Sequence, residues 1–130
     1  MPLSVQVVTP EREVEVCDDA TLVIAKGLEG DIGIMPGHAP VLIGLGIGPL
    51  QIQREHTRDQ ILVDGGFLQL KDDRLIVLAE FAVLPTELDP NAVAAEVEQA
   101  RARLQAAAED EEAKRALARA EAKRSLLQVG

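Results

Sequence analysis

Aromatic side chains are almost missing from this sequence: 130 residues hold two phenylalanines, no tryptophan and no tyrosine. Few flat faces remain on which nucleic-acid bases could stack, and a formal net charge of −9 would repel a phosphate backbone. Nucleic acid is therefore not an expected partner. Cysteine is just as scarce. Cys17 stands alone and cannot form an internal disulfide. With two histidines and no Cys-x-x-Cys spacing, no metal site or redox couple is indicated, and a reducing compartment is expected. The opening Met1–Val8 has neither the basic start and apolar run of a signal peptide nor the Arg/Ser-rich character of a transit peptide, so the mature chain is expected to begin there. The most apolar stretch, Asp31–Leu50, reaches spanning length but is broken by Pro36, Pro40, Pro49, several glycines and the ionisable Asp31 and His38. No membrane helix is predicted, and membrane association has to come through a partner.

What the chain does have is 47% apolar content, enough for a modest core without metal or disulfide staples. Its charge is divided unevenly. Residues 1–90 hold 15 acidic and 6 basic side chains, whereas residues 91–130 hold 7 of each, so the whole of the −9 falls in the first part. Nearly all the glycines and β-branched residues fall there too, and the remainder is dominated by Ala, Glu, Arg, Lys, Leu and Gln. A composition break therefore lies near residue 85.

Before the break, alternating segments recur at Ser4–Val8, Glu13–Cys17, Thr21–Ala25, Gln51–Glu55, Ile61–Val63, Phe67–Leu70 and Leu75–Val83. Many short strands at such spacing predict a sandwich or barrel. The polar links His56–Asp59 and Lys71–Arg74 are hairpin candidates, which makes the sheet mostly antiparallel. After the break, Asp89 followed by Pro90 is a helix start, since the carboxylate can accept from orphan amides and proline's φ suits the first helical position. Val93, Val97, Ala100 and Leu104 then form a narrow apolar stripe. The acidic run Glu109–Glu112 favours a second helix start, with Ala113, Leu117, Ala120 and Leu127 as its stripe. The fold class is thus α+β: an N-terminal antiparallel β-sandwich over residues 1–84, a linker at 85–88 and a C-terminal antiparallel two-helix hairpin over 89–130. An alanine seam forgoes several methylenes per contact, each worth about 0.8 kcal/mol, so the hairpin is expected to dock weakly while its high helix propensity keeps it helical elsewhere.

Catalytic patterns are thin. Gly44-Leu45-Gly46-Ile47-Gly48 hints at a dinucleotide loop, but Pro49 and strand-like Leu50-Gln51-Ile52 follow where a helix is needed, so a sandwich strand or bulge is the better reading. No triad, zinc spacing or acid/base pair is evident, and no catalytic residue or metal ligand is assigned.

The run Gly27–Leu42, containing Gly30-Asp31-Ile32-Gly33-Ile34-Met35-Pro36-Gly37-His38-Ala39-Pro40, closely resembles the signature of the epsilon subunit of F-type ATP synthases. Val7-Val8-Thr9-Pro10-Glu11-Arg12, Val63-Asp64-Gly65-Gly66-Phe67-Leu68, Val77-Leu78-Ala79 and Leu88-Asp89 are similar to that family at the expected separations. The resemblance implies a non-catalytic central-stalk subunit on the cytoplasmic face of a bacterial cell membrane, peripheral and held there by its complex. Its implied partners are the gamma subunit, the membrane c-ring and the alpha/beta catalytic head. Asp31 and His38 would face the ring from a signature loop made by Gly30, Gly33, Pro36, Gly37, Ala39 and Pro40. Read from the residues alone, the glycines and prolines turn strands within a rigid, shaped loop, and His38 sits at its surface or caps a turn.

Lys114, Arg115, Arg119, Lys123 and Arg124 make the second helix locally basic. They form either a solvated face or, as the resemblance implies, regulatory contacts with the catalytic head that restrain ATP hydrolysis. Some family members bind ATP at this tail through an Ile/Leu-Asp-x-x-Arg-Ala motif. Here Leu88-Asp89-Pro90-Asn91-Ala92 keeps the aspartate and lacks the arginine, so no cofactor is expected and Asp89 reads first as a helix cap. A free-standing ATP-binding sensor with a mobile hairpin is the alternative reading.

Overall fold

Residues 2–128 are described by the computed structural model, so the outer limits of the expected domains at 1 and 130 lie outside the described residues. Eight strands precede two helices: β1 (Leu3–Val8), β2 (Glu13–Ala20), β3 (Leu22–Gly27), β4 (Gly30–Ile34), β5 (Val41–Gly44), β6 (Ile47–Gln53), β7 (Arg58–Lys71) and β8 (Arg74–Val83), then α1 (Pro90–Ala106) and α2 (Glu111–Gln128). Side chains alternate in and out along the strands, as the period of two requires. Leu3, Val5 and Val7 of β1, Leu50 and Ile52 of β6, and Leu75 and Val77 of β8 are all buried in one cluster.

The strands are ordered β2-β1-β8-β7-β6-β3-β4, with β5 also paired to β7. The two short strands expected at Ile61–Val63 and Phe67–Leu70 are one long strand. On one edge, Arg58–Asp64 pairs with β6 and Phe67–Leu70 with β5, while β8 runs along the other edge. The change of partner falls at Gly65 and Gly66, whose φ values of 74° and 105° only glycine adopts readily. Through this kink a single hydrogen-bonded sheet supplies both layers of the sandwich.

Among the described residues the sheet is mostly antiparallel, as expected, with one parallel pairing: β1 runs beside β8, from Ser4 opposite Arg74 to Val8 opposite Leu78. A parallel pair requires a long connection, and nearly the whole sandwich lies between these two strands. The signature run is not all loop, because its first half forms β4 against β3 and only Met35–Pro40 turns. The first polar link turns earlier than expected, with the Arg54 amide donating to the Thr57 carbonyl at 2.8 Å and Arg58 already in β7. The second link is a two-residue turn of left-handed Asp72 and Asp73, φ 52° and 61°, which matches the twist of the strands it joins.

Past the sandwich, Pro85–Glu87 makes one 3-10 turn and Asp89 caps α1, its carboxylate accepting from the Asn91 amide at 3.1 Å. Val93, Val97 and Ala100 are buried as expected, with Leu104 half-buried. On α2, Ala113, Ala120 and Leu126 are buried, while Leu117 and Leu127 are only partly covered. A single stripe was too simple for this helix. It packs on α1 and also on β6, β7 and the 3-10 turn, so it needs a second apolar side, which Leu126 supplies.

A Cβ at Gly66 would meet the Leu78 carbonyl oxygen and lie 2.8 Å from the Ala79 Cα, both rigid backbone. Gly66→Ala should therefore cost about 3 kcal/mol or more in urea unfolding, and a loss within 0.5 kcal/mol would remove the kink's claimed role.

Candidate functional site

Three of the places where polar contacts join separate segments of this scaffold involve residues of the expected sites or of the family-like motifs. The first is the turn after β4. The His38 amide donates to the Met35 carbonyl at 3.1 Å, with Pro36 second in the turn and Gly37 third at φ 87°, the residue pattern of a type II turn. Gly37's own amide donates 2.8 Å to Asp73 Oδ1, across to the β7–β8 tip. His38 Nδ1 lies 2.7 Å from the Ala39 carbonyl, which can only accept. The hydrogen is therefore on Nδ1, and Nε2 is the nitrogen open to a partner. Met35, Pro36, Gly37, Ala39 and Pro40 are exposed and His38 is half-buried. Gly30, with φ 131°, starts β4, Asp31 follows it opposite Lys26, and Gly33 lies opposite Ile24. Asp31 and His38 are not brought together. Roughly 10 Å of strand lies between Asp31 and the turn, so they mark the two ends of β4.

The hinge is the second place, at the far end of β8 from the turn. Arg12 reaches it from the β1–β2 connection, with Nη1 2.6 Å from Glu87 Oε2 and Nη2 2.7 Å from Oε1, a two-pronged contact. Glu87 Oε1 also accepts the Leu84 amide at 2.8 Å. Arg12 was legible only as part of a resemblance, since nothing in sequence marks a pairing across 75 positions.

The third is the face where α2 meets the sandwich. Arg119 Nε is 2.6 Å from Asp64 Oδ2, and its guanidinium carbon sits 4.3 Å from the centre of the Phe81 ring. Lys123 Nζ is 5.3 Å from the same ring centre and 2.9 and 3.1 Å from the two carboxylate oxygens of Glu96 on α1. Asp64 and Phe81 face each other across β7 and β8, so the sheet register itself builds the anion and the ring into one receptor. Lys114 pairs with Glu111 at 3.3 Å and Arg124 with Glu121 at 3.6 Å, both contacts within α2. Arg115 is exposed and has no ion pair among the described residues. It borders a cleft of about 1030 Å³ between hairpin and sandwich, which Arg103, Arg119 and Lys123 line together with Asp64, Glu80, Glu96 and Glu112. That lining is charge-balanced. The five cations read as one basic face are thus divided: two hold the tail in place and two are paired along their own helix.

These features define a β-sandwich body followed by a helical hairpin whose second helix packs on the sheet. Residues 2–85 match the family described as ATP synthase, Delta/Epsilon chain, beta-sandwich domain. The chain is 42% identical over 103 residues to an ATP synthase epsilon chain of Brevibacillus brevis, covering 78% of this chain and 77% of that one. It is 41% identical over 108 residues to an ATP synthase epsilon chain of Streptomyces avermitilis, covering 82% and 86%. Among solved structures, a chain of the Euglena gracilis mitochondrial ATP synthase (F1 and c-ring) shares the fold with a TM-score of 0.72 at 22% identity, covering 98% of this chain and 78% of that one. A chain from the central stalk and c-ring of the Tetrahymena thermophila mitochondrial ATP synthase shares it with a TM-score of 0.57 at 17% identity, over 98% and 95%. The chain belongs to the ATP synthase delta/epsilon chain family.

Two outcomes follow from this geometry. The Arg12 guanidinium, and after it the Leu84 amide, hold the Glu87 carboxyl below its ordinary value of 4.5. A carboxyl held low by folding contributes stability that is complete above its unfolded pKa and lost as pH falls through its folded one. Glu87→Gln should therefore flatten the fall in stability as pH drops below the carboxyl's ordinary value of 4.5, read by urea unfolding at each pH. At the tail, Asp64→Asn should weaken docking by about 1 kcal/mol, and Arg119→Ala by more because the stacked contact goes too. Amide exchange across α2 measures both, and equal protection in all three chains would leave the contact without a role.

Proposed function

We propose that this chain is an epsilon-type rotor subunit of a bacterial F-type ATP synthase, clamping the gamma subunit to the c-ring and restraining ATP hydrolysis through its helical tail. Family membership over the sandwich supports the assembly, and the similar folds found in F1 with c-ring, and in a central stalk with c-ring, support the placement. The subunit makes no bond itself and uses neither metal nor cofactor in this reading. Asp89, where a nucleotide would be sought, uses its carboxylate to cap α1. Proton flow turns the ring, the ring turns the sandwich through the exposed turn that carries His38, and the sandwich turns gamma. Among the described residues no helix is long and apolar enough to cross a membrane. In this reading the subunit is peripheral and held on the cytoplasmic face by the complex.

One observation carries the regulatory half. The tail is held to the body by contacts that a competing surface can replace: Arg119 on Asp64, with Arg119 and Lys123 both over Phe81. Arg115 and the locally paired Lys114 and Arg124 add cations that leave the body with the tail. Moving the tail from 1:99 to 99:1 requires about 5.5 kcal/mol of differential binding, within reach of several new ion pairs on a drier partner such as the catalytic head. Removing everything after Thr86 should raise ATP hydrolysis by the reconstituted complex several-fold while leaving the sandwich assembled. Unchanged hydrolysis would sink the restraint.

A further inference from the structure

We infer that Asp73 is a positioning residue for the turn that carries His38, holding it in one conformation from the tip of the β7–β8 hairpin. The inference rests on the reading of that turn as a contact with the ring. A surface that transmits torque has to be stiff, and this one has little stiffness of its own. Met35, Pro36 and Gly37 are exposed, and the turn is closed by one backbone bond, from the His38 amide to the Met35 carbonyl at 3.1 Å. Its third residue is a glycine at φ 87°, the most permissive backbone available. Left alone, such a turn exchanges among conformers and moves the adjacent histidine with it.

Asp73 supplies the anchor. Its Oδ1 accepts the Gly37 amide at 2.8 Å from 36 positions away in the chain, and an ionised acceptor makes a stronger bond than a neutral one. The anchor is itself fixed. Asp73 lies in a two-residue turn at φ 61°, and its carbonyl accepts the Ser4 amide at 2.9 Å. The start of β1, the β7–β8 tip and the signature turn therefore converge on one residue. Left-handed backbone at this position admits Gly, Asn and Asp with little strain. Two substitutions then separate the roles of backbone and side chain: Asp73→Asn keeps both the conformation and an acceptor, whereas Asp73→Gly keeps only the conformation.

The experiment has two readouts. In the full-length chain, exchange of the Gly37 amide is measured by NMR against the core Ile52 amide, so that any global loss of stability cancels. In the reconstituted complex, proton pumping is measured per ATP hydrolysed. Asp73→Gly should speed Gly37 exchange relative to Ile52 by about tenfold and lower pumping per ATP, and Asp73→Asn should restore both toward the parent. Unchanged Gly37 exchange in Asp73→Gly would overturn the positioning role. Faster exchange that only Asn corrects, with pumping unaltered in every variant, would uphold the anchoring of the turn and overturn instead its assignment to the ring.

Discussion

The hairpin of β7 and β8 organises the rest of the molecule, because two glycines let one strand serve both layers of the sandwich. With Gly65 and Gly66 in left-handed backbone, β7 pairs with β6 before the kink and β5 after it. The same hairpin positions all three contact regions. Its tip ties down the turn after β4, and its open end presents Asp64 and Phe81 to the tail before the chain runs on from Val83 to the 3-10 turn. Contacts about 30 Å apart along β8 thus share one pair of hydrogen-bonded strands.

Tail and body are held together by different physics from the body itself. Leucine, isoleucine and valine fill the sandwich, each worth about 1.5–3 kcal/mol when fully buried. Between α1 and α2 the buried positions include Ala100, Ala113 and Ala120, which bring little area, and across the docking face runs the partly exposed Arg119–Asp64 pair, which salt screens. The body and the tail are therefore written in different residue types along one chain.

Much of this division was legible in the sequence. Period-two alternation gave the strands, the break near residue 85 gave the hinge, and Asp89-Pro90 gave the start of α1. Glycines concealed the long β7, since a Gly-Gly pair ends a strand in one dimension and bends it in three. Partners far apart in sequence were not legible. Arg12 and Glu87 meet only because β1 lies beside β8, and Arg119 finds Asp64 only because α2 rests on the sheet. Of the ring-facing candidates, the exposure of the turn around His38 was readable from its prolines and glycines. The anchor at Asp73 was not, because an acidic residue between two strands reads first as an ordinary turn former.

The parallel pairing of β1 with β8 has a consequence for the order in which the protein can be made. β1 leaves the ribosome well before its inner neighbour, Arg74–Leu78 of β8, so it can sit only against β2 until almost the whole sandwich has been synthesised. Closure of the body is a late, long-range event, slow by the rule that loop entropy is lost before distant contacts form. The tail emerges last, after the surface it docks on is complete, and a nascent helix arriving then meets a finished sheet.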